Sequence, residues 1–202
     1  MQEWFKIDEQ MATFGPRLRD DLKISPDATL KLATTIADEI RRTIKNHPEL
    51  LDNLVKSPIE VKNRRDELLA FQGFMDICNN NKVKDPSVIR AQVCYQNYIC
   101  FVYLGDIWFK AFMKNLDHNP SLRKCCKRLT NNPIRAFRNA IAHGNWRYLS
   151  DFSGIEFWAK KGSNQNKEMT RFEVSQDNLH FWQALARCVA YCIAEILLEN
   201  SH

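Results

Sequence analysis

Between His118 and Ser150 the chain has no aspartate and no glutamate, while seven basic residues stand there: Arg123, Lys124, Lys127, Arg128, Arg135, Arg138 and Arg147. A run without compensating acid builds a local positive field that draws phosphate-bearing partners, and it says more than the modest net charge of +5. The competing explanation is a solvated helix face. The segment Met1-Gln2-Glu3-Trp4-Phe5-Lys6 lacks the basic end and long apolar core of a signal peptide, and the 7 cysteines are an odd number, so a reduced, cytoplasmic protein is expected. Neither Cys125-Cys126 nor Cys188/Cys192 has the two-residue gap or matching second pair of a zinc site. Cys188 and Cys192, four apart, share a helix face and read as buried thiols. No metal and no cofactor is expected. Long apolar runs are missing too: within the stretch Val88–Met113 the longest, Tyr98 to Leu104, is far short of the roughly 20 residues a bilayer span needs, so no membrane partner is expected.

What is present is an ordinary globular composition. With 202 residues, 45% hydrophobic and 26% charged, the chain suits a single domain over 1–202 with one substantial core. Residues 1–25 read as an N-terminal arm. A helical stripe begins at Pro26 with Leu30, Ala33, Ile36, Ala37, Ile40 and Ile44, and is interrupted at Asn46-His47-Pro48. Ser57-Pro58 caps the next helix, and Asp85-Pro86 opens another that is apolar nearly all round from Val88 to Met113, the expected spine of the core. Asn119-Pro120-Ser121 begins a short basic helix to about Leu129. Ile155–Lys160 and Met169–Val174 have strand-like content around Gly162–Asn166, predicting a β-hairpin over 155–174. Ser175 or Asp177 caps a last helix carrying Leu179, Trp182, Leu185, Val189, Ile193, Ile196 and Leu197. The fold class is therefore mainly α, an up-down bundle of about five to seven helices with a small hairpin before the C-terminal helix.

The chemistry concentrates in Ile134–Trp146, which sets two guanidinium groups, an amide and an imidazole between Pro133 and Gly144. Five residues along a straight helix turn a side chain by about 140°, so Arg138 and His143 would not share a face if the helix ran on. Gly144 reads as a helix-ending glycine, which lets His143 leave the last turn, where the negative end of the helix dipole favours an imidazolium. Phe137, Ile141 and Trp146 have core spacing and read as packing rather than as base-stacking platforms. The same Arg-to-His spacing recurs at Arg42 and His47, with Arg41 one residue farther. That segment lacks an asparagine after the arginine, runs into Pro48, and is surrounded by Asp38, Glu39, Glu49 and Asp52, so the Arg138 site is preferred.

The run Arg138-Asn139-Ala140-Ile141-Ala142-His143, an arginine followed by a polar residue and then by a histidine after four positions, resembles the signature motif of the HEPN superfamily. The all-α organisation and the terminal helix after the motif are similar as well, and the inserted hairpin suggests a plasmid- or phage-defence-associated branch. The resemblance implies a metal-independent endoribonuclease, a toxin or defence effector, that acts as a homodimer with its motifs at the interface, takes RNA as partner, and is restrained by an antitoxin or regulatory protein. It implies His143 as general acid and base in 2′-hydroxyl attack and Arg138 as stabiliser of the phosphorane. Asn139 would orient His143 or hold the phosphate. Arg135, Arg147, Lys127 and Arg128 are the candidate RNA contacts, and Asp106 is a candidate partner for Arg135 or Arg138. Asn145 stands where many members carry a tyrosine, which puts functions of that tyrosine in doubt. The alternative is a catalytically inactive HEPN-like module that binds RNA or protein.

Overall fold

The computed structural model describes residues 14–54, 57–80, 85, 87–88, 108–114, 120–160 and 168–200. Within them the chain is mainly helical with one small antiparallel sheet before the C-terminal helix, in line with the expected class.

Helix α1 (Gly15–Leu22) lies in the expected N-terminal arm and packs Leu18 and Leu22 into the core, ending where Lys23 takes a left-handed φ of 55°. The stripe from Pro26 is not one helix. It splits into α2 (Pro26–Leu30) and α3 (Leu32–Asn46), because Lys31 leaves helical geometry at φ −117°, ψ 32°. The break turns Leu30 away, leaving it 68% exposed, while Leu32, Ile36, Ile40 and Ile44 remain inside. Short α4 (Glu49–Leu54) follows. Next comes α5 (Pro58–Asn80), where the Ser57 hydroxyl accepts from the Ile59 N–H at 3.2 Å and so satisfies an orphan donor of the first turn. Most of the expected spine, Val88–Met113, lies outside the described residues. Its end is α6 (Lys110–Met113), with Trp108, Phe109 and Phe112 buried.

Helix α7 (Pro120–Thr130) and helix α8 (Ile134–Ala142) are joined through the cis peptide Asn132–Pro133. A strand that the sequence pattern does not predict comes next: β1 (Trp146–Tyr148), followed by β2 (Gly154–Lys160) and β3 (Met169–Ser175) in the order β1-β2-β3. The hairpin is thus two strands of a three-stranded sheet. Three residues are too few to display alternation, which is why β1 leaves no periodic trace. Register is fixed by pairs such as Trp146 with Phe157 and Phe157 with Phe172. At Gly154 a Cβ would lie 2.3 Å from the Val174 carbonyl oxygen, so this closely approached strand position admits only glycine.

The last helix, α9 (Gln176–Glu199), is capped by Ser175, whose hydroxyl accepts from the Asn178 N–H at 3.3 Å. It has the length and apolarity of a membrane span. Its side chains are nonetheless buried almost all round against α3, α5, α7 and the sheet, which makes it the central core helix among the described residues. Cys125, Cys126, Cys188 and Cys192 are free and buried, as expected of core thiols, and burial pushes the Cys125 and Cys126 thiols well above their ordinary range.

Candidate active site at the end of helix α8

Helix α8 is amphipathic over a short span. Ile134, Phe137, Ala140 and Ile141 face the core, and Phe137 meets Phe157 of β2 edge-on at 5.0 Å and Trp182 of α9 at 5.8 Å. Phe137, Ile141 and Trp146 are accordingly buried, as their spacing predicts. With that face committed to the sheet and to α9, Arg135 is exposed on the remaining surface and Arg138 and Asn139 are half-buried.

The helix ends as Gly144 predicts. Gly144 has φ +68°, its N–H donates to the Ile141 carbonyl at 3.2 Å, and the Asn145 N–H reaches back to the Ala140 carbonyl at 2.8 Å, the paired closure of a Schellman cap. His143 is therefore the C-cap residue, at φ −101°, ψ 4°, and is exposed at the helix end. The next peptide ties the cap to the sheet: the Asn145 carbonyl accepts from the Trp158 N–H at 3.0 Å. Helix end and β2 consequently hold one another.

Between them lies a cleft of ≈ 420 Å³ lined by Asn139, Ala140, His143, Asn145, Trp158, Ala159, Lys160 and Met169. Asn139 and His143, four apart, share a helix face that opens into it. Arg138 is not among the described residues that line the cleft; its Nε and a terminal nitrogen lie 3.4 and 3.3 Å from the Asn139 Oδ1, long hydrogen bonds to a residue that does line it. The Asn139 carboxamide oxygen thus accepts from the arginine, a contact that neither role expected for Asn139 includes. Asn139 and His143 are thus brought to one cleft, and Arg138 is bonded to Asn139.

The other predicted contacts are distributed differently. Lys127 and Arg128, on α7, line a separate hollow of ≈ 330 Å³ with Lys23 and Lys124. There the Lys124 Nζ donates to the Lys23 carbonyl at 3.1 Å, and the Arg128 Nε is buried with no hydrogen-bond partner among the described residues. Arg147, on β1, is engaged by Glu156 across the strand pair, and Arg171 binds the same carboxylate at 3.1 Å. The positive field expected of the acid-free run is therefore reduced in space. Glu156 meets Arg147, and Glu39 of α3 accepts from the Leu122 N–H at 2.7 Å in the first turn of α7. Asp106 lies outside the described residues.

Trp158, Lys160 and Met169 join the site without being predicted from the sequence. The signal was available in part, since alternation along Ile155–Lys160 sends Glu156, Trp158 and Lys160 to the face opposite Ile155, Phe157 and Ala159. No group of three or more potential metal ligands occurs among the described residues.

No curated protein and no solved structure matches the chain. Residues 101–200, a span that holds the Arg138–His143 motif, the sheet and α9, match the family model described as HEPN pEK499 p136. On that match, and with a mainly helical fold of the corresponding kind, the chain belongs to the HEPN superfamily.

Proposed function

We propose that the chain is a metal-independent endoribonuclease, a toxin or defence effector of the HEPN kind, with His143, Arg138 and Asn139 as its working groups. The observation that carries this reading is the cleft at the end of α8, with His143 and Asn139 on its wall and Arg138 held against the Asn139 Oδ1. A nucleophile need not come from the protein. The RNA 2′-hydroxyl attacks the adjacent phosphorus as the His143 imidazole takes its proton; the bond from O2′ to phosphorus forms and the bond to O5′ breaks. The imidazolium then returns the proton to the leaving 5′-oxygen. Charge accumulates on the non-bridging oxygens of the phosphorane, where a planar guanidinium can bond two at once. The products are a 2′,3′-cyclic phosphate and a 5′-hydroxyl.

Exposure of His143 at a helix end suits a site completed by a second copy, and a homodimer with facing motifs is part of the proposal, as is a regulatory or antitoxin partner. The test is incubation of purified protein with RNA in EDTA, beside Arg138→Ala and His143→Ala. Cleavage leaving cyclic phosphate ends, reduced by about 10²-fold or more in either variant, is the expected outcome. RNA bound but left intact by all three proteins would point instead to a binding module, and cleavage abolished by EDTA would contradict the metal-free chemistry. Light scattering checks the dimer.

A further inference from the structure

The outer face of the sheet carries an aromatic residue that core packing does not explain. Along β2, Ile155, Phe157 and Ala159 are buried, and Trp158 points the other way and is half-exposed. It forms part of the wall between two hollows. One is the ≈ 420 Å³ cleft of His143; the other, of ≈ 160 Å³, is bounded by Arg147, Glu156 and Arg171, and both share Trp158 and Met169. The backbone of Trp158 is fixed relative to the histidine, because its N–H bonds to the Asn145 carbonyl just beyond the α8 cap.

We propose that Trp158 is the platform on which an unpaired nucleobase stacks beside the phosphate at His143, so that this protein takes single-stranded RNA over the outer face of its sheet. This rests on the ribonuclease reading for the role of His143, although the stacking itself does not require cleavage. An indole presents a π-face that any base can cover, and a base inside a duplex is already covered on both sides, so only a splayed-out nucleotide can use it. Charge agrees with that occupant. The wall from Trp158 to His143 includes Lys160 and two asparagines and, among the described residues, no carboxylate. On the far side Glu156 is 11% exposed and engages Arg147 and Arg171, whose side chains remain 66% and 74% exposed with their guanidinium groups held in place. Glu173, opposite Glu156 in register, lies two positions along β3 from Arg171, on the side away from His143.

The test uses the full chain in a His143→Ala background, so that binding is read without cleavage, with a fluorescent single-stranded 12-mer RNA and the same strand in a duplex. Trp158→Leu, which keeps apolar bulk, is expected to weaken single-strand binding by about tenfold or more, Trp158→Phe to restore most of it, and duplex binding to be indifferent to both. Melting temperatures confirm that the variants fold. Unchanged affinity in Trp158→Leu overturns the proposal, as does a folded Trp158→Phe protein that binds as weakly as the leucine variant. Absence of RNA binding by the parent protein also overturns it and assigns the face to a protein partner. The two readings separate cleanly. Trp158-dependent binding by a wild-type protein that never cuts sinks the ribonuclease and keeps the platform, whereas cutting that is indifferent to Trp158 does the reverse.

Discussion

The chain contains the same arginine-to-histidine spacing twice, and the two copies end in comparable ways. His143 is the C-cap of α8 and His47 is the C-cap of α3. The residue after each histidine differs. Gly144 takes a left-handed conformation and returns the chain into a strand beside a cleft, whereas Pro48 leads directly into α4. The company differs as well: the His47 Nδ1 lies 3.1 Å from a Glu49 carboxylate oxygen, and Arg41 bonds Asp38 and Glu199, each at 3.1 Å. The Arg138 guanidinium bonds the Oδ1 of Asn139, the residue that follows it, where Arg42 is followed by Thr43. The spacing therefore encodes a helix end with a histidine on it. On the proposed function, chemistry requires a helix end that opens into a hollow, as that of His143 does.

The sharpest way to break this comparison is to remove each histidine and each arginine in turn. His143→Ala and Arg138→Ala should each lower RNA cleavage by about 10²-fold or more, while His47→Ala and Arg42→Ala stay within about twofold of wild type. Rates of appearance of cyclic phosphate ends on one RNA would settle it. Equal losses at the two sites would show that the acids around His47 do not silence it.

A smaller effect is expected from the asparagine that only one copy possesses. Asn139→Ala removes the amide that orients the Arg138 guanidinium and should lower kcat by about tenfold, the worth of one hydrogen bond to a charged group, with little change in melting temperature. A fall in stability with unchanged kcat would make Asn139 a structural residue.

These residues also show how far the sequence can be read. The helix-ending glycine, the cap at Ser57, the buried cysteines and the strands on either side of 161–167 all follow from local rules that act over a few residues. The break at Lys31 does not, because nothing in Pro26–Ile44 interrupts the apolar period there. Arg147 escapes a linear reading for a different reason: its counter-charge, Glu156, is nine residues away in sequence and directly opposite in the sheet. Linear charge patterns ignore such cross-strand neighbours, and the hollow beside His143 likewise exists only once β2 is laid against α8.

Gly144 sharpens the comparison at the level of backbone. A Cβ there would meet no atom within 4 Å, so any cost of Gly144→Ala comes from forcing φ +68° on a residue that disfavours it. About 1 to 2 kcal/mol of stability should be lost, lowering the melting temperature by a few degrees. Gly144→Asn, which tolerates that conformation better, should recover part of both stability and cleavage. Cleavage that persists undiminished in a destabilised alanine variant would show that the cap does not aim His143.

The weakest effect separates what Arg42 does from what Arg138 does. Arg42 lowers the pKa of Glu39, as does the Leu122 N–H, but burial raises it by more, and the carboxyl lies above the ordinary glutamate range. A raised folded value means that the native state binds the proton more tightly than the unfolded chain. The resulting contribution to stability is complete below the unfolded value of about 4.3 and is lost as pH rises through the folded one. Glu39→Gln is neutral throughout and keeps an oxygen for the Leu122 N–H. The margin of wild type over this variant, read as a difference in melting temperature, should accordingly shrink from about pH 4 toward neutrality and then level off. Arg42→Ala should move the decline to higher pH without touching RNA cleavage. A margin that grows with pH would mean that the helix N-terminus and Arg42 outweigh burial, and that the arginine of the second motif contributes more to the fold than the acids around it suggest.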